Sequence, residues 1–219
     1  GAHLLKQFRA GDERGNRFHT VLEIAWHTAA RIGGIRALDL RDFHPEEAYL
    51  SFRHRPSTDT PLKKKRDGER DVAIRPEVVQ VIQEYLRDYR IDDHDQYGRQ
   101  PLFVSAKHNR ASASALRSWM YQATYPCRFD PCPHGFDPPT CQFKEHQREA
   151  GCPSTRSPHH VRSGAMTWHR DRGVPRDVLA ERANAAESTI EEYYDQATKR
   201  ERMENRRREY VANLELTDD

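Results

Sequence analysis

The sequence lacks any segment that could cross a membrane or direct export. No apolar run in its 219 residues approaches the ~20 residues that span a bilayer. The first residues also lack the apolar core of a signal peptide. We therefore expect an intracellular, cytoplasmic protein with no membrane association. The length excludes a peptide or mini-scaffold and is sufficient for one large domain or two small ones.

The sequence also has little net charge. Its 36 Lys and Arg residues nearly balance its 34 Asp and Glu residues, and the resulting +2 does not predict a polyanionic partner. The basic residues are nevertheless clustered along the chain. Residues 61–70 contain five basic against two acidic side chains, and residues 199–208 contain six against two. A nucleic-acid site must therefore come from local clusters of this kind.

The apolar pattern predicts the fold class. Hydrophobic residues make up 36% of the chain and charged residues 32%, which indicates a globular domain with a large polar surface. Helical spacing occurs at residues 20–29, from Pro76 onward, at residues 111–124 and repeatedly after Pro158. Strand-like alternation occurs at residues 48–55 and on both sides of a turn at Asp67-Gly68. These patterns predict an α+β fold, mostly helical, with a small antiparallel sheet.

All four cysteines lie in one short, proline-rich segment. Cys127, Cys132, Cys141 and Cys152 fall within 26 residues that offer little apolar periodicity. In a reducing compartment, clustered thiols favour a metal site over two disulfides. Four thiolates fill the tetrahedral shell of Zn²⁺ and leave no open position, which predicts a structural rather than a catalytic ion. His134 or His146 remains an alternative ligand in place of one cysteine.

Three separated motifs carry residues suited to phosphodiester chemistry. Arg31 lies in TAARIGGIRAL, His159 and Arg162 form an H-x-x-R motif, and Tyr193-Tyr194 follow about 30 residues later. In this order the motifs resemble the tyrosine recombinase, or phage integrase, family. The resemblance extends from about residue 20 to residue 195. It implies a tyrosine recombinase catalytic domain that cleaves and rejoins DNA through a 3′-phosphotyrosyl intermediate.

The resemblance also implies a role for each motif residue. Arg31 and Arg162 would hold the non-bridging oxygens of the scissile phosphate, because guanidinium forks match that geometry. His159 would accept or position the proton of the attacking tyrosine. Tyr194 is the preferred nucleophile and Tyr193 the alternative. Neither a metal ion nor a nucleotide is needed for this chemistry.

The resemblance further implies that a lysine of the hairpin protonates the leaving 5′ oxygen. Counting back from Arg70 places Lys65 nearest to the family's position, and Lys63 would share a strand face with it, because side chains alternate along a strand. Lys64 should face the other way. We expect Lys64 and Arg66 to contact DNA.

Two positions depart from the family pattern. The His or Trp expected nine residues before the nucleophile is replaced by Ala185 if Tyr194 attacks, or by Asn184 if Tyr193 does. Gly34 stands where an acidic residue is usual. These departures leave a second hypothesis open, namely a catalytically impaired, zinc-stabilised DNA-binding module of the same fold. A type IB topoisomerase-like strand transferase is a third hypothesis.

The resemblance also predicts the domain organisation. Residues 1–19 are expected to be a linker, and residues 20–219 the catalytic domain, with a zinc-binding insert at 126–153 and a C-terminal helix at 199–216. The family's N-terminal core-binding domain is expected to be absent. The insert resembles those of integrases from halophilic archaea, which implies a mobile genetic element in a prokaryote or virus. The expected partner is double-stranded DNA, bound by a dimer to tetramer of a protein that is monomeric alone.

Overall fold

The computed structural model describes residues 1–145, 148–190, 198–208 and 210–211. Its α-helices are α1 (Ala2–Ala10), α2 (Arg17–Thr28), α3 (Ile32–Ala37), α4 (Pro76–Asp88), α5 (Ala113–Ala123), α6 (Pro158–Arg170), α7 (Arg176–Ala183), α8 (Glu187–Thr189) and α9 (Lys199–Arg206). Its strands are β1 (Phe43–His44), β2 (Tyr49–Phe52), β3 (Arg70–Ala73), β4 (Val104–Ser105) and β5 (Asn109–Arg110). Within the described part, no helix is both long and apolar enough to span a membrane.

Helix α2 lies at the centre of the molecule. Asn16 caps its first turn by accepting hydrogen bonds from the backbone N–H groups of Phe18 and His19. Residues on every side of α2 are buried, and the helix packs against α4, α5 and α6. A helix that is buried all round is a core helix. It therefore fixes the positions of α3, which follows it in the chain, and of α6.

The N-terminal residues are not a linker. Residues 2–10 form α1, which packs against α2 with Leu5 and Phe8 buried in the core. Phe8 stacks on the ring of His19 at 5.0 Å. The prediction of a linker over residues 1–19 was therefore wrong for α1, because the three-residue spacing of these two apolar side chains gives the helix a face to bury.

A buried carboxylate joins α1 to α2. Glu23 is fully buried and contacts His19 and His27 at 3.3 Å, as well as the guanidinium of Arg9. Burial alone would raise the pKa of Glu23, but the contacts with these three side chains outweigh burial and lower the pKa to about 2. The ionised carboxylate therefore stabilises the fold at neutral pH.

Replacing this carboxylate should make the free energy of unfolding less dependent on pH in the acid range. Since the ordinary pKa is 4.5, the stabilisation is present above about pH 4.5 and is lost as the pH falls toward 2. Glu23→Gln is expected to lower the free energy of unfolding by about 3 kcal/mol at pH 7 and by much less near pH 2. Urea unfolding at both pH values measures this, with the exposed Glu46→Gln as the matched control. An equal difference at both pH values would contradict it.

The sheets are small and antiparallel, as predicted. In the first sheet the strand order is β1-β2-β3, with Tyr49 opposite Ala73 and Phe52 opposite Arg70. The second sheet pairs β4 with β5. Both sheets lie on the helical core through buried side chains such as Leu50 and Val72.

The predicted hairpin around Asp67-Gly68 was wrong in one of its strands. Strand β3 pairs with β2, and residues 61–64 form no strand. Residues 65–68 form a 3-10 turn in which Lys65 has a left-handed backbone, with φ of 52°. Pro61 has no N–H to donate to a strand partner, and the Leu62 N–H bonds to His54 Nδ1 at 2.9 Å instead. The strand-face argument for Lys63 and Lys65 therefore does not apply.

Candidate active site

Three arginines from different elements converge on the C-terminal end of α7. Three successive main-chain carbonyl groups there each accept a hydrogen bond from one arginine. The bonds are Arg70 Nε to Arg182 O at 2.7 Å, Arg162 Nη1 to Ala183 O at 2.7 Å, and Arg31 Nη1 to Asn184 O at 2.5 Å. The last carbonyl groups of a helix have no partner within it and carry its negative dipole end. The end of α7 thus brings three cations together.

Two left-handed residues give the chain the turns that this contact requires. Ala29, with φ of 49°, ends α2 and directs the chain to Arg31, which caps the N-terminus of α3. Asn184, with φ of 51°, ends α7 and presents its carbonyl group to Arg31. Asparagine adopts this conformation more readily than most residues. Arg162 lies one turn into α6 and also donates a hydrogen bond to Ala29 O.

A fourth arginine lies beside these three. Arg182 donates from Nη2 to His27 O at 2.8 Å. Burial, and then the positive charges of Arg162, Arg31 and Arg182, lower the pKa of Arg70 to about 10. Burial also lowers the pKa of Arg182. We call Arg31, Arg70, Arg162 and Arg182 the arginine cluster.

Arg31, Arg70 and Arg182 differ in their surroundings from two other arginines that point into the molecule. Arg99 and Arg110 both form ion pairs with the buried Asp39, at 2.9 and 2.6 Å. For Arg31, Arg70 and Arg182, by contrast, no Asp or Glu of the described residues lies within ion-pair distance. Buried charges of one sign repel each other unless a counter-ion is present. The arrangement therefore favours binding of an anion.

A cleft of about 370 Å³ opens onto two members of the cluster, Arg31 and Arg70. It is lined by Arg31, Arg70, Lys63 and Asn184, among others. Lys63 is thus the lysine that the structure brings to Arg31. Lys64, Lys65 and Arg66 are exposed and do not line this cleft. We call this space the candidate cleft.

His159 and Arg162 lie one turn apart on α6. Ser157 caps this helix by accepting the backbone N–H of His160 at 3.3 Å. His159 is exposed and lines a second groove, of about 1120 Å³, with Trp26 and Trp168. Residues three apart on a helix share a face. His159 therefore lies on the same side of α6 as Arg162 but does not line the candidate cleft.

The tyrosines lie outside the described residues. Neither Tyr193 nor Tyr194 is among the described residues. The last described residue before them is Ile190, which is fully buried. Of the two candidates for the missing His or Trp, Asn184 lines the candidate cleft and Ala185 does not. The Asn184 side chain lies so close to Gly68 that an added Cβ there would be 2.5 Å from its Nδ2 atom. Gly68 therefore allows Asn184 to occupy this position.

The cysteine-rich segment is anchored to α5 by a buried carboxylate. Glu149 accepts hydrogen bonds from Ser118 and Gln122, at 2.7 and 3.1 Å. Tyr125 donates its hydroxyl proton to Phe143 O at 2.5 Å. These contacts hold both ends of the segment on the helical core.

The four cysteines lie near one another but are not in ligating positions. Burial and then the charges of Glu149 and the nearby cysteines 152, 141 and 127 raise the pKa of Tyr125. No disulfide joins the four cysteines, and Cys152 is buried. Across residues 1–145, 148–190, 198–208 and 210–211, no group of three or more His, Cys, Asp or Glu side chains is placed to hold a metal ion. His134 bonds to Ser154 Oγ at 2.9 Å, and His146 lies outside the described residues.

No sequence motif points to Arg182 as a residue of the site. The sequence pattern identifies Arg70 only as the start of a strand. The roles of both residues depend on tertiary contacts with the end of α7 and with α2, which no local pattern encodes. The only signal was that Arg70 follows the basic segment at 61–66.

Comparison with solved structures shows what the fold resembles. The chain superposes on XerA recombinase with a TM-score of 0.64 and 19% identity, over 99% of this chain and 64% of that one. It superposes on the integrase of transposon Tn1549 in complex with transposon right end DNA with a TM-score of 0.63 and 16% identity, over 98% of this chain and 64% of that one. This is a tyrosine recombinase fold. A variant of the same integrase in complex with circular intermediate DNA gives a TM-score of 0.65 at 16% identity.

These superpositions confirm the predicted catalytic-domain fold, mostly helical with small antiparallel sheets. The chain spans about 64% of the length of the recombinases it matches. No family model matches the sequence, and no curated protein matches it. The resemblance to integrases of halophilic archaea stays a prediction.

Proposed function

We propose that this chain is the catalytic domain of a site-specific DNA recombinase that cleaves and rejoins DNA through Tyr194. The observation that carries the proposal is the convergence of Arg31, Arg70 and Arg162 on the end of α7, without a described carboxylate beside Arg31 or Arg70. Arg31 and Arg70 line a cleft together with Lys63, in a chain with a recombinase fold. A DNA phosphodiester is an anion of the size and charge that such a site accepts.

In the proposed reaction, one DNA strand is cleaved in a first step and rejoined in a second. The Tyr194 oxygen attacks the phosphorus, the bond from phosphorus to the 5′ oxygen breaks, and a 3′-phosphotyrosyl link forms. His159 takes the tyrosine proton and Lys63 donates a proton to the leaving 5′ oxygen. Arg31 and Arg162 stabilise the charge that develops on the non-bridging oxygens. A 5′ hydroxyl then attacks the link and reverses these transfers, so the bond energy is conserved.

We assign the general acid to Lys63 rather than Lys65. Lys63 lines the candidate cleft with Arg31, whereas Lys65 lies in the 3-10 turn and does not. The exposed Lys64 and Arg66 are then available to contact the DNA backbone.

The proposed partner is double-stranded DNA. The Tn1549 integrase structures contain DNA, and this chain has the same fold. The exposed basic side chains at 63–66 lie beside the candidate cleft, where they would follow the phosphate backbone. Assembly into a dimer to tetramer on DNA, and action on a mobile element inside a prokaryotic cell, follow from the same proposal.

One observation favours the alternative of a catalytically impaired DNA-binding module. Ala185 lies nine residues before Tyr194, where a His or Trp is expected, and the main-chain carbonyl group of the neighbouring Asn184 accepts from Arg31. An asparagine side chain donates a hydrogen bond but does not exchange protons near neutral pH. A module of this kind would bind DNA through the same cations without forming a covalent link.

A nicked suicide substrate tests the proposal against this alternative. Such a duplex loses a short strand after cleavage, so the covalent protein–DNA complex accumulates and survives denaturing electrophoresis. We expect this species with the wild-type protein. DNA binding without it would favour the module. Relaxation of supercoiled plasmid that lacks a recombination site would instead favour the topoisomerase-like hypothesis.

We also propose that residues 126–153 bind one structural Zn²⁺ through the four cysteines. The donor set suits Zn²⁺, and the segment contributes few buried apolar side chains besides Cys152. Binding requires the four thiols to move together from their described positions. Coordination would then contribute on the order of 10 kcal/mol to the folding of this segment.

Metal analysis tests the zinc site. We expect about one zinc per chain, loss of it in Cys127→Ser and Cys152→Ser, and a lower melting temperature after chelation. His134→Asn is the control, because its zinc content should not change if four cysteines are the ligands. Zinc-free protein with four titratable thiols, or with two disulfides, would contradict the proposal.

A further inference from the structure

We propose that Arg70 is a third anion-binding residue of the candidate cleft, which contacts a non-bridging oxygen of the bound phosphate alongside Arg31. The identification of that anion as a DNA phosphodiester rests on the proposed function. The placement of Arg70 as an anion ligand does not.

Arg70 is held with one amino group directed to no described protein partner. Its Nε donates to Arg182 O at 2.7 Å and its Nη1 donates to Gly68 O at 3.0 Å. Its Nη2 makes no hydrogen bond with any residue that the structure describes. Because Arg70 lines the candidate cleft with Arg31 and Lys63, that group is available to a ligand there. Donors fixed before a ligand binds need little reorganisation.

The guanidinium of Arg70 packs on the face of the Phe52 ring. The Arg70 Cζ atom lies 4.2 Å from the ring centroid, a cation–π contact. Phe52 is fully buried and packs beside Gly34, where an added Cβ would lie 3.3 Å from the phenylalanine ring. The glycine at position 34 therefore leaves room for this ring. Gly34, which stands where an acidic residue was expected, thus helps to place Arg70 in the site.

The charges around Arg70 also favour an anion. Three other guanidiniums act on it, and no described carboxylate lies at ion-pair distance. Arg70 nevertheless stays charged at neutral pH, since even its lowered pKa is about 10. A bound phosphate would relieve the repulsion within the cluster. Arg70 would also supply the hydrogen-bond donor that Ala185 cannot.

Variants at position 70 test the inference on two substrates. We expect Arg70→Gln to slow cleavage of the suicide substrate by about 100-fold. The exposed Arg75→Gln, just beyond β3, should cleave like wild type. When a neutral methylphosphonate replaces the scissile phosphate, the gap between wild type and Arg70→Gln should shrink to a few-fold, because the charge that Arg70 neutralises is gone. Wild-type cleavage by Arg70→Gln, or an equal loss on both substrates, would overturn the inference.

Phosphate binding separates this inference from the proposed function. If the wild-type protein forms no covalent complex, the proposed function fails, and titration with inorganic phosphate still tests Arg70. We expect phosphate to bind at least ~10-fold more weakly to Arg70→Gln, because the variant loses one charged hydrogen bond to the phosphate. Arg70→Lys keeps the charge but not the guanidinium fork, so its affinity for phosphate should be intermediate. This variant replaces Arg70→Gln in the test if Arg70→Gln does not fold. Wild-type affinity in both variants would overturn the inference.

Discussion

Replacing Arg162 with alanine is expected to reduce DNA cleavage by about 10³-fold, the upper range for loss of one transition-state donor. Only 3% of this residue is exposed, and its guanidinium donates to both Ala29 O and Ala183 O. The alanine variant therefore loses the proposed phosphate ligand and the connection between α2, α6 and α7. Two buried carbonyl groups also lose their partner, which should cost about 2 kcal/mol in the free energy of unfolding.

Cleavage of the suicide substrate and urea unfolding measure the two effects separately. Arg162→Lys should keep most of the stability but little of the activity, because an ammonium group can donate to the two carbonyl groups but lacks the planar guanidinium fork that holds a phosphate. Arg172→Ala, which removes an exposed arginine that stacks on Trp168 at 4.1 Å, is the control. Cleavage within a few-fold of wild type by a folded Arg162→Ala protein would contradict the assigned role.

Replacing Tyr194 with phenylalanine should abolish the covalent complex, with a loss on the order of 10⁴-fold or more. The substitution removes only the hydroxyl that forms the phosphotyrosyl link, so DNA binding should remain at the wild-type level. Tyr193→Phe is the matched control, because it makes the same change at the neighbouring residue and should still form the complex.

Denaturing electrophoresis of the suicide-substrate reaction distinguishes the two tyrosines. The reverse result, with Tyr193→Phe inactive and Tyr194→Phe active, would assign the nucleophile to Tyr193 and place Asn184 nine residues before it. A covalent complex in both single variants, and also in the double variant, would contradict a tyrosine nucleophile at this position.

Much of the helical fold could be predicted from the sequence. The periodic apolar residues of α2, α4, α5 and α6 predicted helices that the structure contains, because each helix buries a face that its own spacing defines. The strand at residues 60–65 was mispredicted because alternation alone did not reveal that β3 pairs with β2. Helix α1 was missed because its buried residues are few and close to the chain end.

The candidate site was only partly predictable. Motif order pointed to Arg31 and Arg162, and the structure holds both on the end of α7. The contribution of Arg70 could not be predicted, because it depends on the ring of Phe52 and on a main-chain carbonyl that lies 112 residues away in the sequence. Main-chain carbonyl groups carry no side-chain signature. An arginine cluster assembled by them becomes visible only in three dimensions.

The most direct test of the account is a crystal structure of the protein with cleaved DNA and orthovanadate, which mimics a five-coordinate phosphate. The account predicts one vanadate in the candidate cleft, with guanidinium nitrogen atoms of Arg31, Arg70 and Arg162 about 3 Å from its oxygens and the Tyr194 oxygen bound to vanadium. Vanadate bound away from these arginines, or held by them with no tyrosine attached, would contradict it.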